Sequence, residues 1–248
     1  MPPSTVVPKL HNDNLVLIVG PSGGGKSASL RDLKIPTGVA YMNTESNKKL
    51  PFPSTFKKLN IIDPLQVNSG FEVVEPDNTI HTIVVDSLTF MMDMYESIHV
   101  LTAKDTMQAW SNFQQFFKRL MQYYVAKSTK NVIFTAHVQS ILNENEHVME
   151  RKVPIKGALK ANGIEAYFST VVSARSMAVT DLANYKNSLL TITPEEEAIG
   201  VKYVFQTRLT KETVHERIRS AMGMWSQQET FIDNNAQFLM DRLHKYYI

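Results

Sequence analysis

The stretch that decides the fold is Leu15-Val-Leu-Ile-Val-Gly20-Pro-Ser-Gly-Gly-Gly-Lys26-Ser27. Its first five residues are all apolar, which predicts a strand buried on both faces of a sheet. Four of the ten glycines in the chain follow between Gly20 and Gly25, where the backbone is expected to bend tightly. The pattern therefore predicts a strand, a glycine loop and then a helix over residues 26–33.

The loop satisfies the spacing G-x-x-x-x-G-K-S/T in the strand-to-helix context that gives this motif its meaning. Backbone N–H groups of such a loop point inward and bind anions, and a helix that follows adds its positive end. Lys26 would reach the terminal phosphates of a triphosphate and Ser27 would ligate a metal ion, so ATP and Mg²⁺ are the expected cofactors. The candidate binding residues are Gly20, Pro21, Ser22, Gly23, Gly24, Gly25, Lys26 and Ser27.

Three polar residues end other apolar runs. Asp86 follows Ile83-Val-Val and is the candidate magnesium carboxylate, Glu45 follows Val39-Ala-Tyr-Met42 and is the candidate catalytic base, and His137 ends a run that begins at Asn131. The carboxyl ends of parallel strands meet at one edge of a sheet, which would bring these side chains to the phosphate loop. The alternatives are that Asp86 caps a helix, that Glu45 is a solvated loop residue and that His137 is simply packed.

Strand-like and helix-like runs alternate along the chain, which predicts an α/β fold with a mostly parallel sheet flanked by helices. Apolar residues from Met107 to Val125 recur at three- and four-residue spacing and predict a core-facing helix over about 105–127. Another helix is predicted after Asp86, and a last one from a cap at Asp233. The predicted strands are 15–19, 39–42, 82–85, 131–135 and 168–172.

The later part of the sequence predicts antiparallel strands at an edge of the sheet. Leu189-Leu-Thr-Ile-Thr193 and Val201-Lys-Tyr-Val-Phe205 flank an acidic turn at residues 194–197. No repeat or linker divides the chain. We therefore expect one domain over residues 1–248, with a core at about 14–207 and a C-terminal extension at 208–248.

Composition excludes several classes of protein. The 248 residues are 43% hydrophobic and carry a net charge of +2, so the chain is neither disordered nor a strongly basic nucleic-acid coat. The absence of cysteine excludes disulfides, thiolate metal sites and a cysteine nucleophile. The N-terminal residues 1–8 show no signal-peptide pattern and no run is long enough to span a membrane, so we expect a cytoplasmic protein without a membrane partner.

Basic residues without acidic neighbours predict a local polyanion site. Between residues 151 and 164 the chain has no acidic residue but carries Arg151, Lys152, Lys156 and Lys160. Such a loop suits salt-dependent contact with single-stranded DNA. A second acid-free stretch, residues 46–62, contains Lys48, Lys49, Lys57 and Lys58. A solvated surface loop is the alternative for both stretches.

The order of these motifs resembles the RecA-type P-loop ATPases over about residues 14–207. The resemblance rests on the loop Gly20–Ser27 and on the runs that end at Glu45, Asp86 and His137. It implies a RecA-like fold in which Glu45 is the catalytic glutamate, Asp86 the magnesium carboxylate and His137 a sensor of the terminal phosphate. The sensor would open a mobile DNA-binding loop at 138–165. His137 stands where RecA itself has glutamine, and RecA's additional oligomerisation segment and C-terminal domain have no counterpart here.

Within that family the chain looks like the phage-encoded RecA-core ATPases of the Sak group of single-strand annealing proteins. Its size and its C-terminal residues from Phe205 to Asn235 are similar to that group. The resemblance implies ATP hydrolysis on single-stranded DNA in phage recombination, annealing or replication, in the host cytoplasm. It also implies a homo-oligomer, either ring or filament, and a single-strand-binding or annealing protein as partner. In such an oligomer Lys211, Arg217 or Arg219 would reach a neighbouring subunit's phosphate as a trans finger.

Two other functions fit the same residues. The loop also has the kinase-like spacing G-x-x-G-x-G-K-S, which is compatible with a nucleotide or small-molecule kinase. A slow ATP-gated DNA-binding module would need Lys26 and Ser27 for binding, and would not depend on rapid turnover by Glu45.

Overall fold

A computed structural model describes residues 12–144, 147–160 and 163–247. Residues 1–8, where the sequence shows no signal-peptide pattern, lie outside this range, as do four residues of the loop predicted to contact DNA. Its strands are β1 Leu15–Gly20, β2 Val39–Asn43, β3 Lys57–Asn60, β4 Thr82–Asp86, β5 Asn131–His137, β6 Gln139–Asn143, β7 Val148–Lys152, β8 Thr170–Ala178, β9 Val201–Gln206 and β10 Phe231–Asp233.

The helices lie between these strands and at the C-terminal end. They are α1 Leu65–Val74, α2 Leu88–Tyr95, α3 Thr106–Arg119, α4 Val179–Leu182, α5 Pro194–Ile199 and α6 Ala236–Tyr247. Helices α2 and α3 each continue into wider π-helical turns, Glu96–Val100 and Leu120–Val125. Among the residues described, none of these helices has both the length and the apolar character that crossing a bilayer requires.

Within the described residues, eight strands form the main sheet in the order β10-β9-β8-β1-β5-β4-β2-β3. The pairs from β8 through β1, β5, β4 and β2 to β3 are parallel, whereas β9 and β10 pair antiparallel at the edge. Strands β6 and β7 make a separate antiparallel hairpin. The mostly parallel α/β fold and the antiparallel edge predicted from the sequence are therefore confirmed.

The two faces of the sheet bury separate apolar clusters. Along β1, Leu15, Leu17 and Val19 belong to one cluster, while Val16 and Ile18 belong to the other. This alternation is the period of two that a strand imposes on its side chains. The first cluster includes α1, α2 and α3, and the second includes Trp225 and the buried face of α6. Burying each large apolar side chain contributes about 1.5–3 kcal/mol to stability.

The prediction of a helix over residues 26–33 is wrong. The chain instead makes a short 3-10 helix, Ala28–Asp32. Its hydrogen bonds are of the shorter type, such as Leu30 N–H to Ser27 O at 3.3 Å. Pro36 disfavours helical backbone at the residue before it, and Ile35 has a positive φ of 47°. The backbone is already extended at Leu33, with a ψ of 126°, so the phosphate loop is followed by a 3-10 helix of five residues in place of an α-helix.

Three predictions in the later part of the chain are also wrong. Residues Leu189 to Thr193 are not a strand; they run irregularly beside β10, with Asp233 N–H donating to Leu189 O at 2.8 Å. The acidic turn is the short helix α5, because Thr193 and Glu196 form a capping box at its start. At the start of α6 the capping contact comes from Asn235 rather than Asp233, since Asn235 Oδ1 accepts from Gln237 N–H at 2.9 Å.

We predict that Leu243→Ala destabilises the whole protein in one transition. Leu243 is buried on α6 in the cluster that also contains Val16 and Ile18 of β1, so the cavity should cost about 2–5 kcal/mol. Urea unfolding followed by circular dichroism and by tryptophan fluorescence measures the change. The exposed neighbour Lys245→Ala should leave stability unchanged. Two separated transitions in either probe would contradict a single domain over residues 1–248.

Candidate nucleotide-binding site

The glycine loop, residues 20–27, lies at the carboxyl edge of the sheet and needs its glycines. Gly23 and Gly25 have φ values of +73° and +90°, in the left-handed region. A Cβ at Gly20 would lie 2.5 Å from the carbonyl oxygen of Ala174, and a Cβ at Gly24 would lie 2.9 Å from the same atom. The backbone is therefore packed closely against β8 while the open side of the loop forms a cradle. A phosphate chain fits such a cradle because main-chain N–H groups can approach it without side chains between.

Lys26 is buried in the loop, with 5% of its surface exposed. Its Nζ donates to the carbonyl oxygens of Gly20 at 3.0 Å and Pro21 at 2.8 Å, and lies 3.4 Å from Nδ1 of His137. Burial lowers the pKa of Lys26 to about 8, although the negative charges of Asp86 and Glu45 act in the opposite direction. Neutral carbonyl partners hold this cation in place, and a phosphate would be a stronger partner for it.

Asp86 is the most completely buried acid of the site and is held by three hydroxyl groups. Its Oδ2 accepts from Ser27 Oγ at 2.8 Å and from Tyr41 Oη at 2.7 Å, and its Oδ1 accepts from Thr135 Oγ1. The residue at the cap position of α2 is Ser87, so Asp86 does not cap that helix. Ser27 and Asp86 thus place a hydroxyl oxygen and a carboxylate oxygen side by side. These are ligand types that suit Mg²⁺, together with phosphates and water.

Tyr41 serves as a neutral hydrogen-bond donor to Asp86. Burial raises the pKa of its phenol above the ordinary value, and the charge of Asp86 raises it further. The hydroxyl therefore keeps its proton and stays directed at the carboxylate. Tyr41 and Thr135 were not among the residues singled out from the sequence. A signal existed for Thr135, because it lies two residues before His137 and so faces the same side of β5.

Glu45 is not a solvated loop residue, because only 6% of its side chain is exposed. Its Oε1 lies 3.4 Å from Nε2 of His137, and its Oε2 accepts from Lys48 Nζ at 2.8 Å. These contacts, with the hydrogen bond from His137 the largest, lower the pKa of Glu45 to about 2. Its backbone N–H donates to Oδ1 of Asn43 at 2.9 Å. The carboxylate is thus ionised and fixed at the edge of the cleft.

His137 connects Lys26 with Glu45. One ring nitrogen faces each of these side chains, and the ring packs edge-on against Phe90 with centroids 5.6 Å apart. Its backbone N–H donates to Thr89 Oγ1 at 2.9 Å. In the sheet His137 lies opposite Gly20, at the start of the phosphate loop. The four residues predicted for chemistry, Lys26, Glu45, Asp86 and His137, therefore lie together in one place.

These residues line a cleft of about 770 Å³, a volume suited to a nucleotide-sized ligand. Its other end is formed by α5 with the residues before it, by β9 and by the end of β10, where the sequence predicts no part of the site. Asn234 Nδ2 donates to Gly25 O at 2.9 Å, so the C-terminal part of the chain contacts the phosphate loop directly. The residues of this end are Thr191, Thr193, Glu196, Lys202, Tyr203, Asp233, Asn234 and Asn235.

The residues predicted to contact DNA lie on and after β7, and most have acidic partners. Lys152 Nζ lies 2.8 Å from Glu150, Arg151 lies 3.5 Å from Glu216, and Lys156 lies 2.8 Å from Glu96. These partners come from outside the acid-free stretch. The stretch therefore carries less unpaired positive charge than its own sequence predicts. Lys160 is exposed in the short turn Gly157–Lys160.

The predicted trans-finger residues do not line the cleft of their own chain. Lys211 is exposed in the turn Lys211–Thr213, and Arg217 lies 3.3 Å from Oε2 of Glu150. Arg219 is exposed, and its backbone bridges to Val171 of β8. Their role requires a second subunit and stays a prediction.

We predict that Glu45 makes the free energy of unfolding depend on pH. Its pKa lies near 2 in the folded protein against an ordinary 4.5, so its contribution is present above pH 4.5 and is lost as the pH falls toward 2. Wild type should exceed Glu45→Gln in stability at pH 7 by roughly 1–3 kcal/mol, and this difference should shrink through that window. Urea unfolding at pH 7, 4.5 and 3 measures it. A difference that does not change with pH would contradict the ion-paired environment.

Comparison with known proteins is consistent with this geometry. No curated protein matches the chain. A family model described as an AAA domain matches residues 12–213, which include the phosphate loop, Glu45, Asp86 and His137. The match covers most of the chain, and the chain therefore belongs to the AAA domain family and carries a nucleotide-binding domain of the P-loop ATPase type.

Proposed function

We propose that this protein is a magnesium-dependent, RecA-like ATPase whose turnover is coupled to single-stranded DNA. The observation that carries the proposal is the single cluster at the carboxyl edge of the sheet. There His137 contacts both Lys26 and Glu45, and Ser27 is hydrogen bonded to Asp86. A phosphate-binding loop, a metal-ligand pair and a fixed carboxylate are the parts that phosphoryl transfer to water needs.

Each part has a distinct role in hydrolysis. The loop backbone and Lys26 would hold the phosphates, and Ser27 and Asp86 would hold Mg²⁺, which neutralises phosphate charge when bound. Glu45 would orient water and accept its proton. Its carboxylate is suited to that role because His137 and the backbone contact to Asn43 fix its position.

The strand arrangement supports the RecA-like assignment. Strand β5, with His137 at its end, lies between the strand of the phosphate loop and the strand of Asp86. A polar group there contacts both Lys26 and Glu45 and can respond to a bound terminal phosphate. The similarity to the Sak group adds the finer proposal of phage recombination, annealing or replication. Assembly into a ring or filament would then place Lys211, Arg217 or Arg219 at a neighbouring site.

Coupling to DNA would run from His137 into the hairpin. Strand β6 begins two residues after His137, and Val138 N–H donates to Gly20 O at 3.3 Å. A change at His137 is therefore adjacent in the chain to the hairpin that carries Arg151 and Lys152. The ion pairs of these residues would have to exchange carboxylates for DNA phosphates, which gives a salt-dependent interaction.

We predict that Lys26→Ala abolishes hydrolysis and that Glu45→Gln slows it by roughly 10²- to 10⁴-fold while nucleotide still binds. The loss in the first variant follows from removal of the phosphate-binding cation. Phosphate release from ATP and Mg²⁺, with and without single-stranded DNA, measures both. Unchanged hydrolysis in Lys26→Ala would refute the site. Lys26-dependent turnover that ignores DNA would favour the kinase and call for a search for a phosphate acceptor.

We predict that replacing Lys152, Lys156 and Lys160 together by alanine weakens binding to single-stranded DNA and flattens its dependence on salt. Each lost phosphate contact lowers the salt slope by about 0.7 for a single strand. Binding titrations at several salt concentrations measure the slope. A control with the same charge change replaces three exposed lysines outside both acid-free stretches, namely Lys104, Lys186 and Lys245. Equal slopes in the two triple variants would place the DNA site elsewhere.

A further inference from the structure

The turn after β2 is built to bring Lys48 back onto Glu45. Ser46 and Asn47 both have positive φ values, 50° and 62°, and Lys48 N–H donates to Glu45 O at 3.0 Å. Two successive left-handed residues are uncommon without glycine and reverse the chain tightly. The turn therefore places two side chains of opposite charge side by side.

Asn43 holds this turn from inside. Its Oδ1 accepts from Glu45 N–H at 2.9 Å, and its Nδ2 donates to Lys48 O at 2.8 Å. One side chain thus fixes the backbone at both ends of the reversal. This fixed backbone keeps the two side chains adjacent, and Lys48 Nζ lies 2.8 Å from Glu45 Oε2.

The two side chains of this ion pair differ in solvent exposure and in the number of their partners. The side chain of Glu45 is 6% exposed and has a second partner in His137, whereas the side chain of Lys48 is 66% exposed. An ion pair with one exposed member is weak and exchanges readily with solvent or with another anion. Glu45 is therefore the fixed member, and Lys48 is the member that can move.

Lys48 also lines the cleft that contains Lys26 and Asp86. Lys26, in contrast, is already held by two loop carbonyls and His137. A triphosphate in this cleft would offer Lys48 an anion with more charge than one carboxylate. Lys48 and Glu45 both come from one turn of one chain, so this exchange needs no neighbouring subunit.

We propose that Lys48 is a sensor of the terminal phosphate within the same chain. It binds Glu45 when no triphosphate is present, and it moves to the terminal phosphate when a nucleoside triphosphate binds, which leaves Glu45 with His137. This inference rests on the proposed ATPase function and names a residue that the family match does not assign.

The exchange would connect substrate binding with the strength of the base. The groups that act on Glu45 are His137 and Lys48, and Lys48 is one of the causes that lower the pKa of Glu45. Moving this cation away raises the proton affinity of the carboxylate, so Glu45 becomes a better base in the presence of a terminal phosphate. A diphosphate would not draw Lys48 away, and Glu45 would remain a weak base.

The test compares binding of ADP with binding of a non-hydrolysable ATP analogue, each with Mg²⁺, by calorimetry. In Lys48→Ala the affinity for the analogue should fall about tenfold, which corresponds to one lost charge-assisted contact. The affinity for ADP should stay within about twofold of wild type on the same scale. Lys48→Arg keeps a cation and should restore most of the preference for the analogue. Lys58→Ala removes an exposed lysine from β3 and should change neither affinity.

The outcomes separate this inference from the proposed function. If Lys26→Ala loses both nucleotides while Lys48→Ala keeps the wild-type ratio of the two affinities, the sensor role is refuted and the ATPase site stands. Equal weakening of both nucleotides by Lys48→Ala would make Lys48 a structural support for the turn and also refute the sensor. If Lys26→Ala binds both nucleotides normally, the proposed function itself fails.

Discussion

The carboxylate of Asp86 is a buried charge, 1% exposed, and the organisation of the site follows from the need to keep it hydrogen bonded. An isolated carboxylate in that position would cost several kcal/mol. Its three hydroxyl donors come from the phosphate loop, from β2 and from β5, so one charge joins three elements. The same contacts fix Ser27 at the end of the loop and leave Lys26 between the loop and His137.

The register of the sheet positions the side chains of the site relative to one another. Gly20 lies opposite His137, and Asn43 lies opposite Asp86. The functional side chains therefore project from the ends of neighbouring strands at the same position along the sheet. A slip of one residue in any of these parallel pairs would turn the side chains to the other face. Apolar clusters on both faces prevent that slip, which is why the uninterrupted apolar run of β1 matters as much as the loop after it.

The sequence was most informative where the signal is local. The central strands and the phosphate loop follow from runs of neighbouring residues, and their carboxyl ends meet because parallel strands require it. The chain after Lys26 forms a 3-10 helix that ends at Asp32 in place of the predicted α-helix, and Pro36 disfavours any continuation through Ile35. Met107, expected in the core, is 84% exposed on the first turn of α3. Contacts between distant segments could not be seen: Arg151 pairs with Glu216, 65 positions away, and Lys156 pairs with Glu96, 60 positions away.

The contact between Asn234 and Gly25 joins residues 209 positions apart. During synthesis the phosphate loop leaves the ribosome long before β10, the strand that brings Asn234 to it. The nucleotide cleft is therefore completed only once Asn235 has been made, after the residues of the family match have emerged. A nascent or truncated chain that ends near residue 213 would carry every recognisable motif and still present an open, unfinished cleft.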